Sequence, residues 1–153
     1  MAPPSADAIT GRESRIDPSS PVGALTEFYR AFNERDLDLM ARNWDASDEA
    51  SMDNPLGEIR RGWGQIRPVY ERIFGGRATV TVAFHDYTIH QFADSFLAVG
   101  RERGSFENGG VALDLRIRTS RIFRRVDGRW RQIHHHGSID DADLLARYQA
   151  AVR

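Results

Sequence analysis

The sequence predicts an α+β domain in which three helices pack on a strongly curved antiparallel sheet, with a short helix at the C-terminus. Three observations carry this. Apolar residues recur at helical spacing before residue 75, and they alternate with period 2 from about residue 77 to 138. The alternating runs are separated by turns too short for parallel crossovers, so neighbouring strands must be antiparallel.

The first 19 residues hold few large apolar side chains and several Pro, Ser, Gly and charged residues, which reads as a mobile tail ahead of a domain spanning 20–153. Ser20-Pro21 is a helix start, a serine cap followed by proline at the first helical position. Val22, Leu25, Phe28 or Tyr29, and Phe32 continue that helix to about Glu34, and Asp36 caps a second one carrying Leu37, Met40, Ala41 and Trp44. Ser51 to Asn54 is extended, because Pro55 pushes the residue before it out of the helical region. Ile66, Val69, Tyr70, Ile73 and Phe74 mark a third helix; Pro68 places its start near Gln65, and Gly75-Gly76 ends it.

Strand patterns follow around Val80-Val82-Phe84, Leu97-Val99 and Val111-Leu113-Leu115-Ile117, with turns at Ala93-Asp94, Asn108-Gly109-Gly110 and Asp127-Gly128. Strands this long, at roughly 10 to 14 residues, must twist and coil around the helices, leaving a concave space suited to a ligand. A final amphipathic helix from Asp140 carries Leu144, Leu145, Tyr148 and Val152.

Composition narrows the chemistry. A chain of 153 residues with net charge −1 offers no electrostatic footprint for nucleic acid or an anionic membrane. Cysteine is absent, which removes disulfides, thiolate metal sites and cysteine nucleophiles. All 21 basic residues are arginine, so a lysine Schiff base and a P-loop are excluded too. With no membrane-length apolar stretch and no signal-peptide pattern, a cytoplasmic protein is expected.

Several strings, in their order, resemble the nuclear-transport-factor-2-like superfamily in its SnoaL-like branch. They are Phe28-Tyr29-Arg30-Ala31-Phe32-Asn33-Glu34-Arg35-Asp36, Asn54-Pro55-Leu56-Gly57, and the stretch from Gly62 to Phe74. The run Arg121-Ile122-Phe123-Arg124-Arg125-Val126-Asp127-Gly128-Arg129-Trp130, followed by His134-His135-His136, is similar to the association (hub) domain of calcium/calmodulin-dependent kinase. The resemblance covers roughly residues 20 to 140 and implies a cone-like fold, a pocket and a homodimer formed through the open sheet face. It leaves the activity open, since the superfamily includes isomerases, dehydratases, cyclases and non-catalytic hubs. Steroid-isomerase chemistry is not expected: the tyrosine, base and acid positions fall on Phe28, Asn54 and about Ser120.

Candidate site residues follow from strand parity. Arg121 shares a face with Leu113, Leu115 and Ile117, so its guanidinium points inward and needs a partner, either a side chain such as Asp53 or Asp94 or a ligand carboxylate. In the hub domain, the matching arginine lines a cavity that accepts small carboxylates. Arg101 and Arg103 share a parity with Leu97 and Val99, which extends the same argument to them more weakly, set against solvated arginines at a strand end. Alternation puts Asp53 and Asn54 on opposite faces, so one of them faces the pocket; Asp53 there would be a base, and Asn54 a polar contact. His135 faces opposite to His134 and His136 and is the candidate acid/base, set against a plain structural histidine. His134 and His136, with Trp130, are assigned to the outer sheet face; the spacing names no third ligand, so no metal or other cofactor is assigned. Tyr29, Trp44, Trp63, Tyr70 and Phe74 build the helix side of the core, with Tyr29 and Trp63 also taken as candidate pocket walls.

Two functional readings remain. One is a pocket protein for a hydrophobic carbonyl or carboxylate compound, acting as a cofactor-independent lyase, isomerase or cyclase, with Arg121 as anchor and His135 or Asp53 moving the proton. The other is a non-catalytic module that binds a ligand or assembles subunits.

Overall fold

Ser20 accepts a hydrogen bond from the Gly23 amide at 3.0 Å, and Pro21 opens helix α1 (Pro21–Asn33) as its sequence requires. The computed structural model describes residues 7–152, and among them α1 is followed by α2 (Leu37–Asn43), capped by the Asp36 carboxylate. Strands β1 (Ser51–Asp53) and β2 (Arg60–Arg61) precede α3 (Trp63–Gly75). The meander β3 (Thr79–Gln91), β4 (Ser95–Asn108), β5 (Val111–Val126) and β6 (Arg129–Ser138) leads into α4 (Ala142–Ala151). All six strands form one sheet in the order β2-β1-β6-β5-β4-β3, with β1 parallel to β6 and every other pair antiparallel. The fold is the expected α+β cone, with helices against the concave face.

Helix α3 starts at Trp63, two residues before the expected Gln65, and keeps Pro68 inside it. The proline removes the amide that would bond the Gly64 carbonyl, but Gly64 is exposed and water can replace the partner. The N-terminal expectation also needs correction. Residues 1–6 lie outside the described residues, whereas 7–19 are docked on the domain. Ile9 is buried and exchanges hydrogen bonds with Phe84 at 3.0 and 2.8 Å, and Arg30 reaches back to the Gly11 and Glu13 carbonyls. A single apolar side chain, backed by main-chain pairing, is enough to hold a segment whose composition reads as tail.

Parity holds in one long strand and fails in two. On β5, Leu113, Leu115, Ile117, Thr119, Arg121 and Phe123 all face inward, as expected. On β4 the inward set is Phe96, Ala98, Gly100, Glu102 and Phe106, the opposite of the Leu97 and Val99 phase. A shift of one residue turns every side chain over, so Arg101 and Arg103 are on the outer face. On β6, Phe123 pairs with Gln132 while Ile122 pairs with His134, which leaves Ile133 as an extra residue. This bulge reverses the phase, so Trp130 is fully buried instead of sharing the outer face with His134 and His136.

The coiling of the sheet depends on small residues in β4. A Cβ at Gly104 would lie 1.8 Å from the Thr81 carbonyl oxygen, closer than any side chain permits. Gly64, on the exposed side of α3, has open space around it instead. Urea unfolding of two variants checks this contrast. Gly104→Ala is expected to lose about 1–3 kcal/mol or more through backbone displacement, and Gly64→Ala to gain about 0.5–1 kcal/mol from helix entropy.

Candidate functional site

Between the concave sheet face and helices α1, α3 and α4 lies a cavity of about 550 Å³. Its walls are mostly apolar, supplied by Phe28 and Phe32 from α1, Val69 and Ile73 from α3, and Leu115 and Ile117 from β5. Three arginines, Arg60, Arg72 and Arg77, also line it, as do Glu58 and the 54–57 turn. Glu102, Arg121 and His135 sit together in this lining, which also includes the polar side chains of Asn54 and Tyr70.

Arg121 is the organiser. Its side chain is 2% exposed, and its Nη2 donates to Glu102 Oε2 at 2.8 Å. Nη1 donates to Gln132 Oε1 at 2.6 Å, and the guanidinium carbon sits 3.6 Å from the centroid of the Phe28 ring. Tyr29 donates its hydroxyl to the same Glu102 oxygen at 2.8 Å. Ala98 is the residue paired with Arg121 across β4 and β5, and Gly100 lies between it and Glu102 on the inward face of β4. The partner of Arg121 is therefore Glu102, and neither Asp53 nor Asp94. Burial opposes the guanidinium charge, but the Tyr29 oxygen and the Glu102 carboxylate outweigh it and raise its pKa. Burial, reinforced by Glu102, raises the Tyr29 pKa well above the ordinary phenol value, so Tyr29 is a neutral donor.

The polar contacts continue away from the cavity. Gln132 Nε2 donates to Asn43 Oδ1 at 3.2 Å, Asn43 Nδ2 donates to Glu27 Oε1 at 3.1 Å, and Arg129 donates to the same Glu27 oxygen. A buried chain thus runs between two ion pairs, Glu102–Arg121 at the cavity and Glu27–Arg129 at the far end.

His135 is paired with Arg121 across β5 and β6, is 6% exposed, and lines the cavity. Burial first, and Arg121 second, lower its pKa well below the ordinary histidine value, with the Ser120 carbonyl pulling weakly the other way. Its imidazole is neutral at pH 7. The Ile133 bulge is what lets Gln132 and His135 both face inward around Arg121, although their sequence separation is odd. Tyr148, from α4, joins the lining, and burial followed by Glu102 pushes its phenol up to about 12.

The other sequence-derived candidates divide clearly. Asn54 lines the cavity. Asp53 is absent from the lining; it sits on the outer face, where its carboxylate meets His136 Nδ1 at 3.2 Å, so it cannot serve as a base in the cavity. Arg101 is half exposed and pairs with Asp86 at 3.5 Å on the outer face. Tyr29 is fully buried behind the wall and acts through Glu102, and Trp63 stacks on Trp44 instead of lining the cavity. Glu102 and Gln132 are the residues that sequence reasoning missed. Phe96 and Phe106, which share their parity with Glu102, were the available signal for the first.

Two outcomes follow from this geometry. Arg121→Met leaves a buried carboxylate without its partner and is expected to cost about 3–5 kcal/mol, while Arg121→Met with Glu102→Leu recovers most of the loss; chemical denaturation of the three proteins measures it. For His135, the native pKa lies below the unfolded value of about 6.5, so the unfolded chain takes up the proton first. Stability is kept above that pH and lost as the pH falls below it. His135→Gln is expected to shrink the acid-induced fall in melting temperature between pH 7.5 and pH 5.

Comparison with known proteins agrees with this architecture. A candidate dehydratase of the NTF2-like family from Streptomyces avermitilis superimposes with a TM-score of 0.69 at 20% identity, over 75% of this chain and 90% of that one. A candidate calcium/calmodulin-dependent protein kinase type II association domain from Thiobacillus denitrificans gives a TM-score of 0.65 at 26% identity, over 82% of this chain and 98% of that one. A protein with a cystatin-like fold from Caulobacter vibrioides gives 0.63 at 21% identity, over 78% and 87%. Among curated proteins, the F-box protein SKIP8 of Arabidopsis thaliana is 23% identical over 127 residues, 81% of this chain and 52% of the relative, so the chain spans about half that protein's length. The model of the SnoaL-like domain matches residues 23–142, and the chain belongs to the SnoaL-like domain family.

Proposed function

We propose that the cavity binds a hydrophobic small molecule through a carbonyl or carboxylate oxygen, and that His135 moves a proton on it in a cofactor-independent lyase, isomerase or cyclase reaction. The observation that supports this is an apolar cavity of about 550 Å³ whose polar groups gather around the buried Arg121–Glu102 pair and a neutral imidazole. That volume lies within the range of ordinary small-molecule sites, roughly 300–1,000 Å³. Because Glu102 neutralises Arg121, a polarised carbonyl suits the Arg121 end of the cavity better than a full negative charge. A neutral, buried histidine can take a proton from carbon or oxygen and return it. Glu102 is fixed by two donors, which suits it to hold Arg121 rather than to act as the base.

Titration with 2-acetylnaphthalene and 2-naphthoic acid, followed by fluorescence, tests the binding reading. The ketone is expected to bind more tightly, and Ile73→Trp, which fills the cavity from α3, should weaken it at least tenfold. Unchanged affinity in Ile73→Trp would move the ligand elsewhere and overturn the reading. For a substrate found by screening, His135→Ala should abolish turnover while retaining binding.

A second reading, a non-catalytic ligand-binding or subunit-assembly module, is favoured by the likeness to the association domain. The outer sheet face exposes Val99, with Leu97 and Ile122 half-buried beside it. A homodimer through this face is part of both readings. Val99→Arg is expected to shift the chain toward monomer in light scattering, and an assembly larger than a dimer would favour the hub-like reading.

A further inference from the structure

The His134-His135-His136 run serves the cavity with its middle residue only. On the other face of β6, His134 and His136 project side by side, two residues apart, and the neighbouring strand completes the group. Parallel pairing of β1 with β6 sets Ser51 beside His134 and Asp53 beside His136. Asp53, His134 and His136 thereby each bring one potential ligand atom within 4.8 Å of the others. We propose that these three side chains form a binding site for a divalent transition ion of the Zn²⁺ type, separate from the cavity.

The chemistry of the set selects the ion. Two imidazoles and one carboxylate suit Zn²⁺, Co²⁺ or Ni²⁺, whereas Mg²⁺ and Ca²⁺ want oxygen ligands. The spacing is close to what coordination needs. Two ligands about 2.05 Å from a tetrahedral zinc lie about 3.3 Å apart, and Asp53 Oδ2 and His136 Nδ1 are already 3.2 Å apart. His134 brings its ligand atom within 4.8 Å of both. Its Nδ1 is held by the Ser51 hydroxyl at 2.8 Å, the kind of outer hydrogen bond that orients a metal-bound histidine. Asp53 and His134 are half-buried while His136 is exposed, so an ion could enter from solvent and keep water in its remaining positions. The Ile133 bulge matters here too, since it is what sets His134 and His136 outward in register with β1. Arg61, paired with Ser51 across β2, is a nearby cation, but it lies on the edge strand and is exposed.

Calorimetric titration of the full chain, expressed without a histidine tag, with ZnCl₂ tests the site, and CoCl₂ titration read by visible absorption reports its coordination. The expected result is one ion per chain. Each of Asp53→Asn, His134→Gln and His136→Gln should weaken it at least tenfold with an unchanged far-ultraviolet spectrum, and His90→Gln, at an exposed histidine elsewhere, should leave it intact. Absence of binding up to millimolar zinc would overturn the proposal. So would retention of binding in the triple variant, or loss with either histidine but not with Asp53→Asn. If a variant fails to fold, cobalt absorption of the native chain still decides: an octahedral hexaaqua-like spectrum at saturation would overturn the site.

Discussion

A guanidinium with almost no solvent contact has to be neutralised and hydrogen-bonded, and much of this fold is arranged around meeting that demand for Arg121. Glu102 supplies the charge, Tyr29 and Gln132 fix the geometry, and Phe28 offers its ring face. These partners come from α1, β4 and β6, so the ion pair joins the first helix to three neighbouring strands. The hydrophobic core alone would tolerate many arrangements of helix on sheet. A buried charge tolerates few, because each displaced partner leaves an uncompensated polar group. The same pair lines the cavity, so what fixes the helix against the sheet also sets the polarity of the cavity wall.

The fold was legible because its signals were redundant. Caps at Ser20 and Asp36, period-2 alternation on β5 and the Asp127-Gly128 turn each point to the same architecture. The candidate site was legible only where one strand kept an unbroken phase. On β5 that sufficed to turn Arg121 inward. On β4, Leu97 and Val99 compete with Phe96 and Ala98, both sets apolar, and only the long-range pairing with β5 decides between them. Glu102 went unseen for that reason, and Arg101 was misassigned by the same flip. On β6 the extra residue at Ile133 has no signature of its own, since neither glycine nor proline marks it. It buries Trp130 and sends Asp53 toward His136 through the β1 pairing.

Function is less constrained than fold. Members of this architecture share walls and differ in what stands at the polar end of the cavity. Here that end holds an ion pair already satisfied by protein groups and a neutral histidine. The carboxylate of the set, Glu102, is held by Arg121 and Tyr29.

The bulge at Ile133 has a wider meaning for how such a strand can change over generations. An ordinary strand has one phase, and a residue's destiny as inside or outside is fixed by its distance from any other. A strand with one surplus residue has two phases joined at a seam, so its halves can drift independently. Removing or relocating that residue would exchange the two faces of the histidine run in one step, without altering any of the three histidines. Length variation of a single residue, usually regarded as damage within a sheet, is here a route by which a closed interior and an open surface could trade the same three imidazoles.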